Sequence, residues 1–156
     1  MDACNGWDLY LMIKHPPTEF HPDGYYPFSA PLTEAPFVYF HHNSSFSFFE
    51  ANPLELGVIG SQAADGTYKV VVKNMWAYPS DPSSSPVFNP TWTGSQASVQ
   101  ISNGAGPLAA SLGGGLKRVP STCGNTWYWY VGDLTKSGTS YTWTNTNKNF
   151  CTNTEP

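Results

Sequence analysis

Residues 125–133 read Asn125-Thr126-Trp127-Tyr128-Trp129-Tyr130-Val131-Gly132-Asp133, "NTWYWYVGD". Four large aromatics in a row are either a stacking surface offered to a ligand or the middle of a buried sheet. Side chains alternate along a strand, so Trp127, Trp129 and Val131 share one face and Tyr128 and Tyr130 the other. The Trp-Trp-Val face is the more apolar and is assigned to the core, since burying a Trp contributes roughly 2–3 kcal/mol. Tyr128 and Tyr130 then point outward, or toward a loop that covers them. They are the part of the run that can offer a flat face.

The same alternation extends outward from this strand. A last hairpin is predicted from 126–131 and 139–145, joined through Asp133 to Gly138, with Tyr141 and Trp143 inward and Thr142 and Thr144 outward. Asp65-Gly66 is a turn, after which Tyr68, Val70 and Val72 form an inner face and Lys69 and Lys73 lie outside. Trp7, Leu9, Leu11 and Ile13 mark a half-buried first strand that His15-Pro16-Pro17 stops. Phe37 to Phe40 and Phe46 to Phe49 read as a hairpin around "HHNSS", and Val99 and Ile101 as a short strand. Fourteen Gly and fourteen Pro punctuate the chain too often for long helices. The expectation is one all-β domain over residues 1–156, a β-sandwich of jelly-roll or immunoglobulin-like type with about eight short strands. Its predicted core contains Trp7, Leu9, Leu11, Tyr68, Val70, Val72, Val99, Ile101, Trp127, Trp129 and Trp143.

Composition narrows the partners. Charged residues are 12% of the chain, about half the usual quarter, so solubility rests on Ser, Thr, Asn and Gly. The net charge is −4, and the seven basic residues are spread along the chain without a cationic stripe, which argues against nucleic acid. No apolar run approaches the roughly 20 residues of a membrane helix. "MDACNGWD" lacks the basic and apolar stretches of a signal peptide, so Met1 is read either as native or as standing where an export signal has been removed. Three cysteines leave one odd. Cys123 and Cys151 flank the two arms of the last hairpin, and either a disulfide closes its base, implying an oxidising compartment, or all three are inert thiols. Cys4 competes for either partner.

Few motifs carry chemistry. Ala109-Ala110-Ser111-Leu112-Gly113 superficially matches a nucleophile elbow, but Gly114 and Gly115 follow where a helix should start. The glycines before Lys117 lack the spacing and hydroxyl of a phosphate loop. Glu19, His21 and Asp23 alternate as a metal site would use, but one such run in a Pro-rich loop assigns no metal. His41 and His42 point to opposite faces of a strand, and Asn43-Ser44-Ser45 is a glycosylation sequon. No catalytic residue and no cofactor follow. Trp76, Tyr78 and Trp92 differ, because they lie in or beside the loop of residues 78–95, where no alternation forces them inward. They either cap the core or stack on the apolar face of a sugar ring.

Gly6-Trp7-Asp8-Leu9-Tyr10-Leu11 resembles the first strand, Asp-x-Asp-Leu-x-Val, of bacterial accessory β-sandwiches of the YfaP and pre-peptidase-like types. Gly66-Thr67-Tyr68-Lys69-Val70-Val71-Val72 is similar to their Gly-Thr-Tyr-x-Val-x-Val strand, and Trp129 to Leu134 to their closing strand. Gly6 stands at the pattern's first acidic position, so no calcium site is carried over. The resemblance implies a non-catalytic module of secreted or surface proteins. The residues themselves point to a binding module recognising a glycan or other surface polymer through Trp76, Tyr78, Trp92, Tyr128 and Tyr130, with Asn89, Gln96 and Asn125 supplying hydrogen bonds. The competing expectation is a structural subunit of a virion or cell surface, its aromatics buried against neighbouring copies.

Overall fold

The computed structural model describes residues 9–16, 37–42, 55–74, 92, 97–103, 106–107, 115–144 and 148–156. Strands dominate them and the fold is all-β. The main sheet joins β1 (Leu9–Lys14), β4 (Gly66–Asn74), β9 (Tyr128–Ser137) and β10 (Ser140–Thr144) in that order, with β11 (Phe150–Thr152) also on β9. All of its pairings are antiparallel. Between β1 and β4 in sequence lie β2 (Val38–His42) and β3 (Glu55–Ile59), which pair with each other. Between β4 and β9 lie β5 (Ser98–Gln100), β6 (Ser102–Asn103), β7 (Gly106–Pro107) and β8 (Leu116–Arg118), paired β5 to β8 and β6 to β7.

Strand β9 is the axis. One edge runs along β4 from Tyr128 to Lys136. The other is shared end to end, with Asp133–Ser137 against β10 and Tyr128–Tyr130 against β11. The sequence places a loop over 133–138, whereas the strand continues to Ser137 and turns tightly through Gly138 and Thr139. Polar residues hide this continuation. Thr135 and Ser137 are exposed, while the inward position between them is a lysine. The chain also bulges, because Val70 faces Gly132 and Val71 faces Tyr130, leaving Val131 as an extra residue on β9.

The inner face carries Leu11, Ile13, Tyr68, Val70, Val72, Trp129, Leu134 and Trp143. At one end it packs on Val38, Ala63, Phe37 and Ile59 around the β2–β3 hairpin. At the other it packs on Ala97, Val99, Ile101 and Val119 around β5 and β8, with Trp92 and Cys123 in the same cluster. The β2–β3 and β5–β8 pairs thus pack over the inner face of the main sheet. The β2 partner is Glu55–Ile59; residues 46–49, its expected partner, lie outside the described residues, as does Trp7. Trp127 departs from the predicted core: it precedes β9, where alternation has not begun, and packs against the opposite cluster of Met12, Val71, Tyr128 and Tyr130. That outer face is therefore buried too, Val71 fully, although sequence alternation assigns it to solvent.

Two local devices fix β9 against its neighbours. A Cβ on Gly132 would lie 2.7 Å from Cζ2 of Trp143 and 3.0 Å from the Thr144 carbonyl oxygen, so the missing side chain is the slot that the indole fills. At the hairpin turn the Lys136 side chain is 4% exposed, and its ammonium sits 3.0 Å from Oδ1 of Asp65. The Gly138 N–H donates to both Asp65 oxygens. The Gly138 bond first, and then Lys136, hold the Asp65 carboxyl below its ordinary value of 3.8. Tyr68 donates its hydroxyl to the Ala64 carbonyl oxygen. Burial, reinforced by Tyr141 and Asp65, pushes that hydroxyl up to about 12.

Gly132→Ala is expected to destabilise the protein by about 1–3 kcal/mol, because the added methyl meets a ring with no free volume beside it; urea unfolding at an unchanged m-value measures this. Asp65→Asn tests the ion pair through pH. The lowered folded-state pKa means that the carboxylate stabilises above the unfolded value of 3.8 and that this is lost as pH falls through the folded value. The variant should unfold at lower urea than the native protein at neutral pH, with the gap closing in acid. A gap that does not change with pH would assign the effect to something other than charge.

Candidate binding face on the main sheet

Two of the five aromatics singled out in the sequence meet on the outer face of the sheet. Tyr128 and Tyr130 lie on β9 opposite Lys73 and Val71 of β4, and opposite Thr152 and Phe150 of β11. Both are buried, Tyr128 at 7% and Tyr130 at 3% exposure, together with Met12 and Val71. They face away from Trp129 as alternation predicts, and of the two expectations, exposed or covered, the covered one holds. The rings form a floor, and a lysine ammonium lies over each of them. The Lys73 ammonium lies 5.7 Å from the Tyr128 ring centre and the Lys148 ammonium 5.0 Å from that of Tyr130. Phe150 meets Tyr130 edge to face at 5.5 Å and is itself 42% exposed. The Tyr130 hydroxyl donates to the Asp133 carboxylate, which orients both groups on this face.

Trp92 is elsewhere. It is fully buried on the inner face, its rings at 71° to Trp129 with centres 6.4 Å apart. Its indole N–H donates to the Thr126 carbonyl oxygen, and its backbone N–H to that of Gly124. An indole held this way has no face to lay on a sugar, so here the core-capping reading replaces the stacking one. The turn it grips is the turn that Cys123 ties to β11: Cys123 and Cys151 are disulfide-bonded with Cα atoms 5.1 Å apart. The bridge lies at the end of the sheet as the sequence suggests, with Cys151, beyond the second hairpin arm, on a further strand that also pairs with β9. Trp76, Tyr78, Asn89, Gln96, Cys4 and the Glu19, His21 and Asp23 run lie outside the described residues. Asn125 is described and exposed in the turn before β9.

What the sequence does not reveal is which residues surround the tyrosine floor. Lys14 stands directly opposite Lys69, and Lys69 opposite Asp133, all on the outer face. With Lys73 and Lys148, four of the seven basic residues share that face. Scattered in sequence, they are gathered by strand register, which corrects the absence of a cationic stripe inferred from spacing along the chain. Thr67 and Thr135 are also paired across the outer face, their hydroxyl oxygens 3.4 Å apart, and both are exposed. Asn149, the second missed residue, has a positive φ of 64° and accepts the Trp129 indole N–H through Oδ1 at 2.8 Å, fixing the turn that delivers Lys148 and Phe150. Among the described residues no helix is long and apolar enough to cross a membrane.

Trp92→Ala is expected to lower stability by about 3–5 kcal/mol, as loss of a buried indole does. The check is a thermal melt beside binding measured on the folded fraction. Loss of ligand binding with an unchanged melting temperature would return Trp92 to a binding role.

No protein-family model matches the chain, and comparison with curated proteins and with solved structures returns no match to either.

Proposed function

We propose that the chain is a non-catalytic binding module of a secreted or cell-surface protein and that its partner is a glycan. The observation that carries this reading is the outer face of the main sheet, where a rigid floor of buried tyrosines is bordered by the exposed ring of Phe150, by ammonium groups and by threonine hydroxyls. Sugars offer apolar C–H faces and many hydroxyls, and such a border supplies partners for both. The disulfide supports placement outside the reducing cytosol. The resemblance to accessory sandwiches of secreted proteins agrees with that placement. Trp76 and Tyr78 remain candidates for a second contact at the loop of residues 78–95.

The test is retention on insoluble polysaccharides together with a glycan array, using the native protein, Phe150→Ala and Trp76→Ala. Retention of the native protein is expected. Phe150→Ala should weaken it by about tenfold, the upper range for a single aromatic contact, with no change in unfolding beyond that of an exposed side chain. Absence of binding to any glycan, combined with concentration-dependent self-association on size-exclusion chromatography, would instead assign the chain to a surface or virion assembly.

A further inference from the structure

We infer that the ligand of the outer face is an acidic polysaccharide, its carboxylates held by Lys69, Lys73 and Lys148; this rests on the glycan reading above and specifies it. The first argument is charge. The chain carries −4 overall, yet the fold collects Lys14, Lys69, Lys73 and Lys148 on one side of one sheet. Placing Lys14 directly across from Lys69 opposes folding, since like charges at paired positions repel. Asp133 lies on this face too, and its carboxylate accepts the Tyr130 hydroxyl bond. Lys14 is engaged with other groups and contributes charge alone.

The second argument is preorganisation. Lys73 and Lys148 rest over the tyrosine rings. Lysine side chains ordinarily lose considerable rotamer freedom when they bind, and heads already positioned over rings lose less. The phenols beneath them are buried and immobile, so the ammonium positions are set by the sheet.

The third argument is spacing, and it selects the class of polyanion. Lys69 and Lys73 are four residues apart on β4, about 13 Å along the strand. Duplex nucleic acid carries one charge per roughly 1.7 Å of axis, and would set many phosphates against few cations and the Asp133 carboxylate. The face also holds no arginine, the side chain that matches phosphate in two-point contact. Between Lys69 and Lys73 lies the buried Val71, and around the lysines are the exposed Phe150 ring and the hydroxyls of Thr67 and Thr135. Widely spaced charges flanked by an exposed ring and by hydroxyls suit a polymer of the same pattern, a sugar chain bearing occasional carboxylates.

The experiment compares retention of the intact, oxidised protein by polygalacturonate and by its fully methyl-esterified form, which keeps the backbone and removes the charge. Polyphosphate and single-stranded DNA serve as further arms. Lys69→Gln, Lys73→Gln and Lys148→Gln are tested singly and together, with Lys117→Gln/Arg118→Gln on β8 as a charge control away from the face. Expected are preference for the free acid, weakening as salt rises, a loss of about two- to fivefold per lysine as for exposed ion pairs, and at least tenfold for the triple variant. The β8 control should bind as the native protein does, and all variants should melt alike. Equal binding to the esterified polymer, unaffected by the lysine changes, would overturn the acidic ligand while leaving a glycan module standing. Equal or stronger retention by polyphosphate or DNA would also overturn it. Binding to no polysaccharide at all would remove the glycan reading itself.

Discussion

Strand β9 is paired along both edges over most of its ten residues, and nearly every other feature depends on that double pairing. A strand in this position must satisfy two registers at once. The bulge at Val131 reconciles them: it inserts one residue between the Tyr130 and Gly132 pairs, so that Trp129, Val131 and Leu134 all serve the inner core. Gly132 then has to lack a side chain, because Trp143 lies across it. The same shift puts Asp133 on the outer face within reach of the Tyr130 hydroxyl. Position along β9 therefore sets the packing inside and the polar border outside together.

How much of this was legible in the sequence depended on whether local alternation was sufficient. It was sufficient for the inner face of β1 and β4, where Leu11, Ile13, Tyr68, Val70 and Val72 alternate cleanly. The cysteine pairing was legible as one of two options. Alternation failed where its premise failed. The centre of the outer face buries Met12, Val71, Tyr128 and Tyr130, so the less apolar face cannot be equated with solvent. Lys136 pointing inward is unreadable without Asp65, its partner 71 residues away. Trp92 sits in a stretch with no periodicity, and only the carbonyl of Thr126 explains its burial. The clustering of Lys14, Lys69, Lys73 and Lys148 is a property of register between distant strands, to which spacing along the chain is blind.

The two faces of the sheet divide labour. The inner one holds the tryptophans and the disulfide, and closing a loop of 28 residues with a bridge contributes roughly 3–4 kcal/mol by restricting the unfolded chain. Stability concentrated there frees the outer border to carry features that oppose folding, such as lysines at paired positions. Phe150 and Cys151 are adjacent on β11 and face opposite ways, so one short strand serves both purposes: its cysteine secures it to the core, and its phenylalanine is thereby held at the surface.

The shared edge of β9 also has a consequence for synthesis. A chain made from its N-terminus presents β1 and β4 long before β9 exists, and β4 then has one edge without its native partner. That edge carries Val70, Val71 and Val72, an apolar run of the kind that pairs indiscriminately. The strand that covers this edge, β9, begins more than fifty residues after β4 ends, and it is itself held by β10 and the disulfide-tied β11 that follow it. The vulnerable interval thus ends only once β9 has been made, and truncation between β4 and β9 yields a sticky edge and not a smaller stable domain.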